Sequence, residues 1–273
     1  MIIIEDSIKS TNNMENTSYL EFDETGKIVV GCDREATDVV IPEGVTSIGK
    51  KSFRFCKSLT SIKIPNSVTS IGHNAFILCE SLKSIEIPDS VISIENYAFF
   101  GCSSLTFIKI PNGVTSIGIM LFKKCTSLIS IVIPDSVKSL ETMSFLGCSS
   151  LTSIVLPDSV TIIGFQAFEG CTSITSIKMP KNLAEIGAEA FHGCTSLNSL
   201  EIPNSVTKIG FHAFANCTNM KDIHLCNEHP KRIKIEKSAF FGLTDCILYV
   251  PVGTEDAYRH DKRFKVFKEI KIE

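Results

Sequence analysis

The chain has 273 residues, of which 44% are hydrophobic, and a formal net charge of −3 at pH 7. The hydrophobic content is ample for a buried core, and the small acidic charge, without a basic stretch, argues against nucleic acid as a partner. No stretch approaches the roughly 20 consecutive apolar residues of a membrane-spanning helix, so the sequence predicts no membrane insertion.

Residues 1–31 are predicted to form an N-terminal tail followed by a hairpin cap. The first ten residues, MIIIEDSIKS, lack the positive charge and the long apolar run of a signal peptide. We therefore expect a cytoplasmic protein, or a cell-surface or secreted one if a leader was removed. Leu20 to Val30 reads as two short strands around a turn at Glu24, Thr25 and Gly26, and this hairpin would cover the apolar end of a stack.

Residues 32–251 are dominated by a 23-residue repeat, typified by residues 59–81, LTSIKIPNSVTSIGHNAFILCES. Proline, phenylalanine and cysteine each recur at this spacing. The phenylalanine and cysteine series are Phe53, Phe76, Phe99, Phe122, Phe145, Phe168, Phe191 and Phe214, and Cys56, Cys79, Cys102, Cys125, Cys148, Cys171, Cys194 and Cys217. Three residue types held to one period indicate stacked units, each of which buries its apolar side against its neighbours.

Each repeat contains one clear strand signal. Ile62 and Ile64 alternate with polar residues, and Pro65, which has no amide hydrogen, should end the strand. Val68 and Phe76 would then point inward again. A unit of this length has room for one strand, two turns and a brief return, but not for a long helix.

The pattern LxxIxIPxSVxxIGxxAFxxC resembles the BspA-like leucine-rich repeat, the type of Bacteroides and Treponema surface proteins. The resemblance implies an α/β solenoid of right-handed leucine-rich repeats, strand-rich with few long helices. It implies a parallel β-sheet on the concave face, and turns with short strands or helical turns on the convex side. Glu95 and Glu141 depart from the pattern by replacing glycine, so that position does not require a left-handed backbone.

The eight periodic cysteines are predicted to be small, buried, reduced groups beside the phenylalanines, although disulfides that join them two by two are an alternative. The sequence implies no cofactor and no metal. His224, Cys226 and His229 form an HxCx2H pattern, but an evident fourth zinc ligand is missing, so an ordinary insertion is favoured.

The repeat becomes irregular after Met220. Cys226 stands where proline is expected, an insertion NEHPKR follows, and Phe240 comes three residues late. Residues 252–273 are predicted to be a C-terminal cap, with a short helix over residues 255–262 and apolar residues that cover the last coil.

The outward positions of the predicted concave sheet are mostly small or charged, with one apolar exception. We predict a partner-binding site there, formed by Phe107, Ile129, Val132, Val155, Lys109, Lys178 and Glu86. The alternative is that these residues only reflect β-propensity on a solvated sheet. On the convex side, a second set could serve self-association, although partial burial under the adjacent coil is favoured: Ile119, Met120, Met143, Phe165 and Phe211.

Catalytic motifs such as GxSxG, HExxH or a phosphate-binding loop are missing from the sequence, so we expect no enzyme. The family resemblance implies a protein-interaction or adhesion scaffold that binds a protein or glycan partner. An intracellular adaptor or effector is the alternative, and a polysaccharide hydrolase a remote one, because the candidate carboxylates Glu86 and Glu201 lie five coils apart. We expect a monomer, with weak self-association as a further possibility.

Overall fold

The computed structural model describes residues 18–273, which form a strand-rich parallel β-solenoid of about eleven turns with almost no helix. The only α-helix among these residues, α1 (Glu255–Arg259), has five residues, and two 3₁₀ helices span Pro230–Arg232 and Lys262–Phe264. The predicted α/β label is therefore too broad. The strands in chain order are β1 (Leu20–Phe22), β2 (Ile28–Cys32), β3 (Asp38–Val40), β4 (Ser47–Ile48), β5 (Ser61–Lys63), β6 (Ser70–Ile71), β7 (Ser93–Ile94), β8 (Phe107–Lys109), β9 (Ser116–Ile117), β10 (Ser130–Val132), β11 (Ser139–Leu140), β12 (Ser153–Val155), β13 (Ile162–Ile163), β14 (Ser176–Lys178), β15 (Glu185–Ile186), β16 (Ser199–Ile202), β17 (Lys208–Ile209), β18 (Asp222–Leu225), β19 (Lys234–Ile235), β20 (Ile247–Val250) and β21 (Glu269–Ile272).

Most regular coils carry two strands. The single strand read from each repeat is therefore incomplete, and short second strands of the kind that the family resemblance implies are present. The longer strands stack in parallel with a 23-residue step, for example Ile108 beside Ile131. The two-residue strands form a second parallel ladder, in which Ile71 lies between Ile48 and Ile94. The second strand exists because the segment after the proline turn is also extended, and its amides reach the carbonyls of the preceding coil.

The third side of each coil is a stack of turns. Alternate amides of one coil donate to the next: Asn74, Phe76 and Leu78 donate to carbonyls 22 residues further on, at 3.2, 2.8 and 2.7 Å. Asn74 and Leu78 both have a left-handed backbone, with φ of 58° and 59°. Most residues avoid this conformation, and the hydrogen bonds between coils help to stabilise it.

The repeated glycine has a different purpose. Gly72 does not have a positive φ, and a Cβ there would lie 2.8 Å from the backbone nitrogen of Lys50 in the preceding coil. Glycine thus permits close approach, and the prediction that the position needs no left-handed backbone is confirmed. Where glutamate replaces it, the side chain is put to use: Glu95 accepts from the His73 amide and Glu141 from the Ser139 hydroxyl.

The core is a stack of identical side chains, as the repeat predicts. The phenylalanine rings from Phe53 to Phe240 follow one another at centroid spacings between 5.0 and 5.7 Å. The thiol of each ladder cysteine from Cys79 to Cys217 donates to the carbonyl of a phenylalanine in the preceding coil, as Cys125 does to Phe99 at 3.1 Å. Each interior layer therefore locks to the one before it through both rings and thiols.

The two ends of the stack carry non-repeating segments. At the N-terminal end, β1 and β2 form the predicted antiparallel hairpin, and β2 continues in parallel into β4. At the C-terminal end, Phe267 packs 5.1 Å from the Phe240 ring, and β21 pairs with β20. Arg263 donates to the carbonyls of Ile233 and Pro230 at 2.6 and 2.8 Å, which ties the irregular insertion to this end.

Candidate binding surface

The outward residues of the three- and four-residue strands form one continuous surface, here named the long-strand face. Phe107 on β8, Val132 on β10 and Val155 on β12 project from it and are 47%, 48% and 70% exposed. The register places Phe107 beside Ser130 and Lys109 beside Val132. Phe107, Val132 and Val155, here named the apolar patch, therefore lie on three consecutive coils.

Ile129 lies at the margin of this patch. It precedes β10, is 50% exposed, and connects two coils by donating to Thr106 and accepting from Thr152. Outward positions on this strand are 130 and 132, because side chains alternate across a strand. Sequence reasoning grouped Ile129 with the outward rows, whereas the structure places it at the strand entrance.

Charged side chains flank the apolar patch on both sides. Lys109 lies 3.5 Å from Asp89, and more than half of each side chain is exposed. Lys178 is the register neighbour of Val155. The backbone of Glu86 forms an isolated parallel β-bridge with the backbone of Lys63. An exposed ion pair of this kind contributes at most about 1 kcal/mol to stability, so these groups can exchange partners with an incoming ligand.

A groove adjoins the patch, and sequence reasoning missed it. This depression of about 1240 Å³ runs across the long-strand face from Asp38 to Phe107 and Lys109. At this place the segment 83–87 does not form a three-residue strand, and its backbone pairs with the neighbouring coils only through isolated β-bridges. Four carboxylates fall on outward or turn positions here, at Asp38, Glu43, Glu86 and Asp89, and aligning the repeats by position would have revealed this excess.

The convex set predicted from the sequence lies on the turn side, where its members differ in exposure. Phe165 and Phe211 are 39% and 42% exposed, whereas Ile119, Met120 and Met143 are half-buried. The favoured interpretation, partial burial under the adjacent coil, holds for the latter three. The Phe211 ring stacks on the His212 imidazole at 3.8 Å.

The residues of the HxCx2H pattern point to different neighbours. His224 stacks on Tyr249 at 4.7 Å, and its Nδ1 lies 2.8 Å from the Glu273 carboxylate. His229 instead lines a cleft between the insertion and α1. Within residues 18–273 there is no group of three histidine, cysteine or acidic side chains arranged to hold a metal ion.

The ladder cysteines are buried and free in this structure. Burial raises the pKa of the Cys125 and Cys171 thiols to about 12 in each case, although a backbone hydrogen bond opposes the shift. These thiols therefore stay protonated at neutral pH and act as hydrogen-bond donors rather than nucleophiles.

A 23-residue period of leucine, isoleucine and phenylalanine, wound into a solenoid with an open sheet, defines a leucine-rich repeat protein. The family model for the BspA type leucine-rich repeat region, in six copies, matches residues 31–152 and 141–256. The chain belongs to this family, which confirms the resemblance seen in the sequence.

Solved structures of bacterial leucine-rich repeat proteins are similar to this chain. One from Bacteroides ovatus is 29% identical, with a TM-score of 0.67, over 93% of this chain and 74% of that one. A leucine-rich cell surface protein from Faecalibacterium prausnitzii is 23% identical, with a TM-score of 0.48, over 93% and 92% of the two chains. The leucine-rich repeat protein of T. pallidum is 24% identical, with a TM-score of 0.44, over 90% and 95%.

A comparison with curated proteins found no match. Across residues 18–273, none of the helices has the length and apolar character needed to cross a bilayer.

Proposed function

We propose that this protein is a non-catalytic scaffold that binds a protein or glycan partner through the long-strand face. Solenoids of this family typically serve as scaffolds rather than enzymes. The observation that carries the proposal is the apolar patch, where Phe107, Val132 and Val155 lie exposed on consecutive coils of a mostly polar face. Exposed apolar clusters rimmed by polar residues are typical of contact surfaces.

The rigidity of the face supports this role. Backbone ladders, stacked rings and thiol hydrogen bonds hold every coil to its neighbours. A surface fixed before binding loses little conformational entropy in the complex. The patch would supply the apolar anchors, while Lys109, Lys178 and Glu86 would set the orientation and the specificity.

The family resemblance favours adhesion at a cell surface as the setting for this binding. Members with this repeat often occur on bacterial surfaces. Fractionation of the source cells, with the protein detected in the surface or the cytosolic fraction, would decide between adhesion and an intracellular adaptor role.

The double variant Phe107→Asp, Val132→Asp should abolish partner binding without unfolding the protein, because it places charge where an apolar contact must desolvate. Binding would be measured against partners captured from extracellular-matrix proteins and from cell lysate, and folding by circular dichroism. The matched control is Ile92→Asp, Ile162→Asp, since these two aliphatic residues are 63% and 42% exposed away from the long-strand face, Ile92 directly before β7 and Ile162 within β13. Unchanged affinity in the patch variant would remove the proposal.

A further inference from the structure

The groove beside the apolar patch is lined by two neighbouring strand segments whose isoleucines belong to the core. Ile62, Ile64, Ile85 and Ile87 retain between 6% and 8% exposure. Pro65 and Pro88 close one side where the strands end. Because the isoleucine side chains point into the core, a ligand in the groove would meet strand backbone and the outward residues Ser61, Ser84 and Phe107.

The rim of the groove carries an excess of negative charge. Its ionisable residues are four carboxylates, Asp38, Glu43, Glu86 and Asp89, and two lysines, Lys63 and Lys109. Lys109 pairs with Asp89, whereas Asp38, Glu43 and Glu86 form no ion pair with any residue between 18 and 273.

Asp38 remains ionised at neutral pH. Its carboxylate accepts hydrogen bonds from the hydroxyls of Ser61 and Thr60 on the next coil. These hydroxyls, led by that of Ser61, lower the pKa of Asp38 below its ordinary value. The negative charge at this end of the groove is therefore permanent under physiological conditions.

We infer that the groove binds an extended, basic segment of a partner protein, with lysine or arginine side chains on the rim carboxylates. This inference rests on the proposed function and names the chemistry of the partner. An extended segment presents every second side chain to the same face, so alternate basic residues can point together toward the rim carboxylates.

The dimensions of the groove fit a short segment. The row Asp38, Ser61, Ser84 and Phe107 crosses three steps between coils, which is about 14 Å at the usual spacing of paired strands. An extended chain covers that distance with about four to five residues at roughly 3.3 Å per residue. The segment would end at Phe107, where the groove opens onto the apolar patch.

The test uses synthetic hexapeptides with blocked ends and the full chain. The sequence KVKVKV should bind more tightly than EVEVEV, and its affinity should fall as salt is added, because salt screens exposed charges. Glu86→Gln, Asp89→Asn should weaken KVKVKV binding by roughly tenfold, since each exposed charge pair contributes modestly. Fluorescence anisotropy of labelled peptides would measure this.

The matched control is Glu201→Gln, Asp135→Asn. These residues occupy the same repeat positions as Glu86 and Asp89 but lie outside the groove. The control removes the same charge, so non-specific attraction would respond equally to both variants. Equal weakening in the two variants, or KVKVKV binding no tighter than EVEVEV, would overturn the inference.

Failure of this inference can be told apart from failure of the proposed function. Val132 and Val155 belong to the patch and do not line the groove. If Val132→Asp, Val155→Asp abolishes partner binding but the wild-type chain does not bind KVKVKV, only the inference is overturned. If KVKVKV binds at Glu86 and Asp89 but the patch variant leaves partner affinity unchanged, the inference stands and the proposed patch does not.

Discussion

A single interior position, the residue before each ladder phenylalanine, shows how closely the coils depend on side-chain size. It is alanine in most repeats, leucine at 121, and serine at 52 and 144. The Ser52 hydroxyl donates to the Gly49 carbonyl at 3.0 Å. The Ser144 hydroxyl, fully buried one coil after Leu121, has no hydrogen-bond partner among residues 18–273.

Ser144→Ala should raise the free energy of unfolding by about 1 kcal/mol, because it removes a buried hydroxyl that is desolvated without compensation. Urea denaturation would measure the change. Ser52→Ala is the matched control at the same repeat position and should be neutral or destabilising, since its hydroxyl is bonded. A loss of stability in Ser144→Ala would show that this hydroxyl does have a partner in solution.

The ladder cysteines show how far residue-level prediction reaches. Their period and their position beside phenylalanine predict burial, and the structure confirms it. Their hydrogen bonds to the phenylalanine carbonyls could not be predicted, because those bonds depend on turns in which non-glycine residues such as Asn74 adopt a left-handed backbone. The sequence marks one of the two left-handed positions, that of Leu78, because it is glycine at 101, 147, 170 and 193. It does not mark the position of Asn74, which holds residues such as Tyr97 and Met120 in other repeats.

At the scale of elements, the C-terminal segment and the irregular insertion form one unit. Arg263 reaches two carbonyls of the insertion and also pairs with Asp261. The buried Tyr258 donates its hydroxyl to the Asn227 carbonyl. The sequence predicts the segment's apolar residues but treats the insertion as an isolated loop, since no periodicity connects residues some 30 positions apart.

Arg263→Gln should lower the free energy of local unfolding of this unit by about 1–3 kcal/mol, because the carbonyls of Pro230 and Ile233 lose a charged hydrogen-bond donor. Hydrogen exchange should accelerate over residues 255–272 and 227–235, while coils 60–200 keep their protection. Arg232→Gln, an exposed arginine within the insertion, provides the control. Equal exchange rates over these residues in the Arg263 variant and the wild type would show that the Arg263 contacts do not stabilise this unit.

At the scale of the whole molecule, stability is shared between neighbouring coils. Every ladder contact reaches only the preceding or the following coil, through strands, turns, rings and thiols alike. Identical positions thus support one another along the stack. A substitution of a core residue in a central coil disturbs the packing against both neighbouring coils, whereas a substitution of an exposed residue disturbs neither.

Phe122→Ala should lower the free energy of unfolding by roughly 3–5 kcal/mol, because it leaves a cavity between the rings of Phe99 and Phe145. Phe241→Ala, where the ring is 57% exposed, should cost far less. Thermal or urea unfolding of both variants would measure the difference. Similar losses in the two would contradict the stacked-core account.

The overall architecture was therefore readable from the sequence, whereas the candidate binding surface was only partly so. Because the repeat length is constant, equivalent positions lie on the same face of every coil. Phe107, Val132 and Val155 could therefore be assigned to one face from the sequence alone. The groove could not, because its depth depends on how the strand around residues 83–87 relaxes into single bridges. The repeat pattern alone did not show the second strand of each coil, because two residues are too few to give a periodic signal.

Because of the 23-residue register, the length of the solenoid can change only in steps of one whole repeat. Adding or removing one whole repeat changes the height by about 4.8 Å and keeps the remaining coils in register. Any other increment would shift rings, thiols and isoleucines off their rows together. The three extra residues before Phe240 are tolerated because the irregular segment lies between β18 and β19, where Tyr258 and Arg263 hold it through the carbonyls of Asn227 and Ile233.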